Sequence, residues 1–104
     1  MNNGSGLAES FTVYAVCSKY TPGLANYGIT VGSSVNNPAG RQSGTGQVAC
    51  PTGTVPLGGG IAASSSSILV NINTTFPSGN SWSSWENNAS ASDERMTPYV
   101  ICAS

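Results

Sequence analysis

Ile68-Leu69-Val70-Asn71-Ile72-Asn73-Thr74-Thr75-Phe76, followed at once by Pro77-Ser78-Gly79-Asn80, decides the fold class. Ile68, Val70, Ile72, Thr74 and Phe76 fall on one side of an extended chain, and Leu69, Asn71, Asn73 and Thr75 on the other. That period of two is the signature of a β-strand. Pro-Ser-Gly-Asn then combines four residue types that favour turns.

The same alternation extends outward in both directions. Toward the C-terminus, Ser81 to Asn87 reads as a strand, Asn88 to Ser92 as a loop and Met96 to Cys102 as a further strand. Toward the N-terminus, Ser64 to Ser67 is a polar connector. Thr54 to Ala63 is a strand interrupted by Pro56 and by Gly58-Gly59-Gly60, which suits an edge, a bulge or close strand packing. Thr45 to Cys50 is a strand closed by Pro51-Thr52-Gly53, and Asn36 to Gly40 is a turn. Tyr27 to Val31 is a short strand, and Thr21-Pro22-Gly23 breaks the chain. Leu7 to Cys17 holds the first strand, in which Phe11, Val13, Ala15 and Cys17 share a face. No segment keeps a helical period, so the reading is all-β: a small antiparallel β-sandwich of about seven strands, with a small β-barrel as the alternative. Residues 1–6 read as a flexible N-terminal tail and 7–104 as a single domain. The expected core is Phe11, Val13, Ile29, Val31, Ile68, Val70, Ile72 and Phe76.

Composition narrows the function. Only 7% of the 104 residues are charged, histidine is absent and the net charge is −1. Neutralising phosphates needs clustered Lys and Arg, so no nucleic acid is expected as a partner. No apolar run is long enough to cross a bilayer as a helix, so no membrane insertion is expected. Met1 to Gly6 lacks the basic start and apolar segment of a signal peptide. The Ser/Thr/Asn/Gly-rich surface and the cysteines nonetheless suit an extracellular or virion-surface setting. An excised mature domain, or a virion component released on lysis, reconciles the two.

Chemistry has few footholds. Serine nucleophiles need a base to take their proton, and Lys19 stands alone beside a turn. Cysteine nucleophiles need a histidine or a positive helix end, and the sequence predicts neither. Glu86 with Asp93 or Glu94 is the one conceivable carboxylate pair for a glycosidase, and Glu94 and Arg95 read more simply as a solvated turn. Three cysteines without histidine make no standard zinc site, and Gly58-Gly59-Gly60 is followed by no Gly-Lys-Ser/Thr. No catalytic residue, no metal and no cofactor are expected.

Binding is better supported. Trp82 and Trp85 lie three apart on one strand and so point to opposite faces. One belongs to the core. The other, Trp85 or Trp82, if exposed, would stack on a sugar ring or an apolar patch, and packing of both indoles is the equal alternative. Asn71 and Asn73, with Thr75, form a polar face able to hydrogen-bond a glycan, although a solvated outer face is the simpler reading. Asn73-Thr74-Thr75 and Asn88-Ala89-Ser90 match the glycosylation pattern.

Glu9 to Cys17 and Glu94 to Cys102 echo one another, with Glu, Thr, Tyr and Cys matching at a constant offset. The segments Tyr14-Ala15-Val16-Cys17, Asn37-Pro38-Ala39-Gly40, Cys50-Pro51-Thr52-Gly53-Thr54-Val55-Pro56-Leu57-Gly58-Gly59-Gly60, Val70-Asn71-Ile72-Asn73, Trp82 and Asn87-Asn88-Ala89-Ser90 resemble a β module of exported actinomycete proteins, and of phage proteins. The resemblance implies an extracellular β module and carries over no catalytic residue. Pro98 and the weakly apolar Trp82–Asn87 stretch depart from its pattern. Cys17 and Cys102 close equivalent strands, so each is a natural partner for Cys50. The shorter loop favours Cys17–Cys50 over Cys50–Cys102. Two functions fit these features. One is a structural module on a virion or cell surface, such as a phage decoration or tail-associated protein, binding a protein lattice or itself as a homo-oligomer. The other is an extracellular carbohydrate-binding, lectin-like module.

Overall fold

A two-residue loop, Gly79-Asn80, closes a hairpin between the paired residues Ser78 and Ser81. Gly79 sits at φ 59°, in the region that side chains rarely adopt and that type II′ hairpin turns reserve for glycine. The computed structural model describes residues 6–8, 10 and 25–104. The expected first strand with Phe11, Val13 and Cys17, its echo of the C-terminal strand, most of the expected tail and Lys19 lie outside the described residues.

Seven strands are seen among the described residues, and no helix: β1 (Gly28–Val31), β2 (Val35–Asn37), β3 (Arg41–Ala49), β4 (Val55–Ala63), β5 (Val70–Ser78), β6 (Ser81–Asn88) and β7 (Glu94–Ala103). Two antiparallel sheets pack face to face as a small β-sandwich. In one, β7 is central, with β4 along one side and β1 and β2 end to end along the other. In the other, the order is β3-β6-β5.

Pro98 lies in the middle of the central strand β7 and is fully buried, a position proline normally avoids because it lacks a ladder donor. Its carbonyl accepts from the Gly32 amide at 2.8 Å, on the side where β1 has ended and β2 has not begun. The missing N–H therefore faces the one break in the neighbouring strand. The ring fills space left by two glycines: a Cβ at Gly32 would come within 2.7 Å of it, and one at Gly46 within 3.4 Å.

The core is small. Val48, Cys50, Val100 and Cys102 form its centre with Trp82 packed against them. Met96 and Val70 are buried nearby. The disulfide joins Cys50, just after β3, to Cys102 in β7, with Cα atoms 5.8 Å apart, and so ties the two sheets together. This corrects the preference for Cys17–Cys50. Loop length argued for the nearer cysteine, but the turn after Cys50 carries the chain into β4, which pairs along β7 and brings Cys50 over Cys102.

Of the expected core residues in the described region, only Val70 is buried. Ile29 and Val31 are 63% and 57% exposed. They pair with Ile101 and Tyr99 on the outer face, while Thr30 and Gly32 turn inward toward Val100 and Pro98. An alternating strand fixes the period of its side chains but not which set faces the core. Ile68 lies in the turn before β5 and is exposed. In β5 a bulge between Ile72 and Thr74 inserts Asn73 and reverses the alternation. Beyond it Thr74 and Phe76 face outward, and Ile72 is left at the exposed edge.

Candidate functional site

Ladder partners share a face, so the register places the chemistry-bearing side chains. On β6, Trp82, Ser84, Glu86 and Asn88 face inward, and Ser83, Trp85 and Asn87 face outward. The bulge at Asn73 brings Thr74 opposite Trp85, and Phe76 diagonally beside it. Phe76 and Trp85 meet edge to face, with ring centroids 5.9 Å apart and planes at 78°. Trp85 remains 39% exposed. Beside the rings, Asn73 donates to the Asn87 side chain at 3.2 Å, and Gln47 donates to the Ser83 hydroxyl at 3.1 Å. Asn71 pairs with Asn87 on the same face. Three of the four binding candidates named from sequence, Trp85, Asn71 and Asn73, thus share one surface. The fourth, Trp82, lies on the opposite face of β6, under Gly59, where an added Cβ would come within 2.4 Å of the indole. Phe76, Gln47 and Asn87 complete this surface. The alternation pointed Phe76 inward, and only the bulge, which leaves no clear mark in the sequence, turns it out.

The other sheet presents a second exposed surface. Ile29, Val31, Ile101, Tyr99 and Val55 lie on its outer face, with Leu57 bulged from β4 beside them. Gly58 and Gly60 occupy the same face of β4. The space above Gly60 is open, and a Cβ at Gly58 would meet only Ile101, at 4.0 Å. The result is an aliphatic ridge along β1 and a glycine trough along β4, separated by β7. Among the described strand residues the one charged side chain on this face is Arg95, exposed beside β2, where it donates to the Ser34 hydroxyl at 3.2 Å.

The acids lie elsewhere. Glu86 has no exposed surface and Glu94 almost none, which corrects the expectation of a solvated turn at Glu94. Glu94 accepts from the Ser64 amide at 2.9 Å and its hydroxyl at 2.7 Å, anchoring the chain as it leaves β4. Glu86 accepts from the Asn37 amide at 2.9 Å. Burial pushes the Glu86 carboxyl above its ordinary range. The Asn37 bond opposes this, and the Glu94 charge adds to it. Glu86 and Glu94 are both enclosed, whereas Asp93, the other partner considered for Glu86, is exposed. Asn88 is buried too, donating to the carbonyls of Asn37 and Ser92, so its glycosylation pattern falls on an enclosed side chain. Asn73 is exposed.

A cleft of about 600 Å³ opens between Ala63, Ser65, Ser66 and Ser67 on one side and Val70, Asn71 and Ile72 on the other. It holds no acid, base or thiol. No cluster of three metal-ligating side chains exists among the described residues, and no helix of the described chain is long and apolar enough to cross a membrane. The disulfide is compatible with an extracellular protein. Comparison with protein-family models, curated proteins and solved structures finds no match.

Proposed function

We propose that this chain is a non-enzymatic structural module of an extracellular or virion surface, and that it assembles through the outer face of the β1/β2–β7–β4 sheet with a second copy of itself. What carries the reading is the self-complementary relief of that face. A two-fold axis lying along β7 sets the Ile29/Val31 ridge of one copy over the Gly58/Gly60 trough of the other, and the reverse, with β7 on β7. Exposed aliphatic side chains of this density are unusual on a surface that stays wet. The ridge and the trough themselves carry no charge, and the cation of this face, Arg95, lies beyond them beside β2, held by Ser34.

Sedimentation velocity on the purified, oxidised chain tests this. A reversible dimer is expected at micromolar concentration. Gly60→Arg fills the trough and Val31→Arg charges the ridge. Each is expected to give monomer while the circular dichroism spectrum stays that of the parent. A parent chain that remains monomeric at about 1 mM, where even a weak site is half filled, overturns the reading. So does a dimer indifferent to both substitutions.

A further inference from the structure

From the outer face of the β3–β6–β5 sheet we infer a binding site for a neutral oligosaccharide, centred on Phe76 and Trp85. It lies on the sheet opposite the assembly face and does not depend on it. Edge-to-face packing makes the two rings a corner: one ring offers its flat face and the other its edge. A pyranose has the matching shape. Its C–H face lies on an aromatic ring, and its hydroxyls leave sideways, where they need donors and acceptors. The face supplies both within reach of the corner. The Asn73–Asn87 bond leaves one acceptor oxygen on Asn73 and the amide donors of Asn87 unspent among the described residues. Gln47, Thr45 and Thr74 flank Trp85 and Phe76 on the same face.

Electrostatics selects the sugar class. The positions that flank the Phe76–Trp85 corner carry no Asp, Glu, Lys or Arg, and the exposed cation of this sheet, Arg41, stands at the far end of β3 opposite Asn88. At the corner itself an anionic glycan finds no cation, and a protonated amine no acid. A neutral hexose or N-acetylhexosamine chain loses nothing by docking, and the acetamide of the latter pairs with the Asn and Gln amides. Asn73 enters the site because it is the extra residue of the bulge, which also turns Phe76 outward. One irregularity therefore assembles both the stacking corner and its polar rim. Bulges commonly re-aim side chains in this way beside functional sites.

Cellohexaose, N-acetylchitohexaose and, as the polyanion, a hexagalacturonate serve as probes against the full oxidised chain. The readouts are the two indole N–H resonances in a proton–nitrogen correlation spectrum and titration calorimetry. At least one neutral hexasaccharide is expected to shift the Trp85 resonance saturably and leave that of Trp82 in place, and the hexagalacturonate to shift neither. Trp85→Ala is expected to weaken binding at least about tenfold, the equivalent of one lost aromatic stack. Asn73→Ala is expected to weaken it several-fold. Both variants should keep the parent's circular dichroism spectrum. No shift with either neutral sugar up to about 10 mM, where even a millimolar site is mostly filled, overturns the inference. Binding of the polyanion alone, or undiminished binding by folded Trp85→Ala, does the same. Repeating the titration on Val31→Arg separates this site from self-association, because sugar binding is expected to survive in the monomer.

Discussion

Glu86→Gln is expected to stabilise this protein at neutral pH and to leave it unchanged in acid. The carboxyl is fully buried, and two acceptors in its cluster, Oε2 of Glu86 and Oδ1 of Asn37, have no donor among the described residues. Glutamine keeps an oxygen for the Asn37 amide, removes the buried charge and supplies N–H donors where the carboxylate has only lone pairs. Relieving an unsatisfied buried polar group is worth about 1–3 kcal/mol. For a domain of about 100 residues, each kcal/mol moves the melting midpoint by roughly 4–8 °C. The sign against pH follows from linkage. Burial raises the folded pKa of Glu86 above the ordinary carboxyl value of 4.5, so over the interval between the two the native state holds more protons than the unfolded one. The Glu86 contribution therefore makes stability fall as pH rises through that interval and grow again on acidification toward 4.5. Thermal unfolding followed by near-ultraviolet circular dichroism from neutral pH down to about pH 4.5 reads both effects. The substituted chain should melt higher at neutral pH, and the gap should close as the medium is acidified. A variant that melts at or below the parent at neutral pH refutes the account, as does a gap that ignores pH.

Three further outcomes are expected. Replacing Cys50 and Cys102 together by Ala opens a loop of separation 52, which the chain-entropy relation values at about 4 kcal/mol, and urea titration should show a loss of that order. Gly59→Ala pushes a methyl into Trp82 and the Tyr99 carbonyl, both 2.4 Å from the added carbon, so it should cost about 1–3 kcal/mol in the same titration. Trp82→Ala should cost about 3–5 kcal/mol and Trp85→Ala far less, because the first indole packs on the core and the second lies on a surface; equal losses would show that the two faces of β6 are misassigned.

The strands were legible in the sequence because their period and turn residues are local signals. Tyr27–Val31, Thr45–Cys50, Thr54–Ala63, Ser81–Asn87 and Met96–Cys102 fall within a few residues of β1, β3, β4, β6 and β7. β2 was missed because Val35–Asn37 has only three residues and runs into the Pro38–Gly40 turn. The core was much less legible. Ile29 and Val31 look like core residues until it is known that the inward positions beside them pack against Val100 and Pro98, where Thr and Gly fit and larger side chains do not. Of the site, Trp85, Asn71 and Asn73 were readable as binding candidates by residue type. Their gathering around Phe76 was not, because one inserted residue swaps the faces of half a strand.

The narrow space between the sheets explains why such a domain leaves its bulky side chains outside. A chain of this length that turned Ile29, Val31, Val55, Leu57, Phe76 and Trp85 inward would have an ordinary aliphatic core and a featureless surface. Here rows of small residues, Gly32, Gly44, Gly46 and Gly59, pack closely against Pro98, Asn37 and Trp82 between the sheets. The interior is held instead by the Cys50–Cys102 bond and by the side-chain bonds of Asn37, Glu86, Asn88 and Glu94. A covalent tie and directional hydrogen bonds fix the spacing of two sheets without needing much apolar area. The apolar and aromatic side chains so released lie on the two outer faces, aliphatic on one and aromatic with amides on the other. Destabilising the interior and altering either face should therefore be separable. Glu86→Gln ought to move the melting temperature without touching assembly or sugar binding, while Val31→Arg ought to abolish assembly and Trp85→Ala to weaken sugar binding, each at little thermal cost.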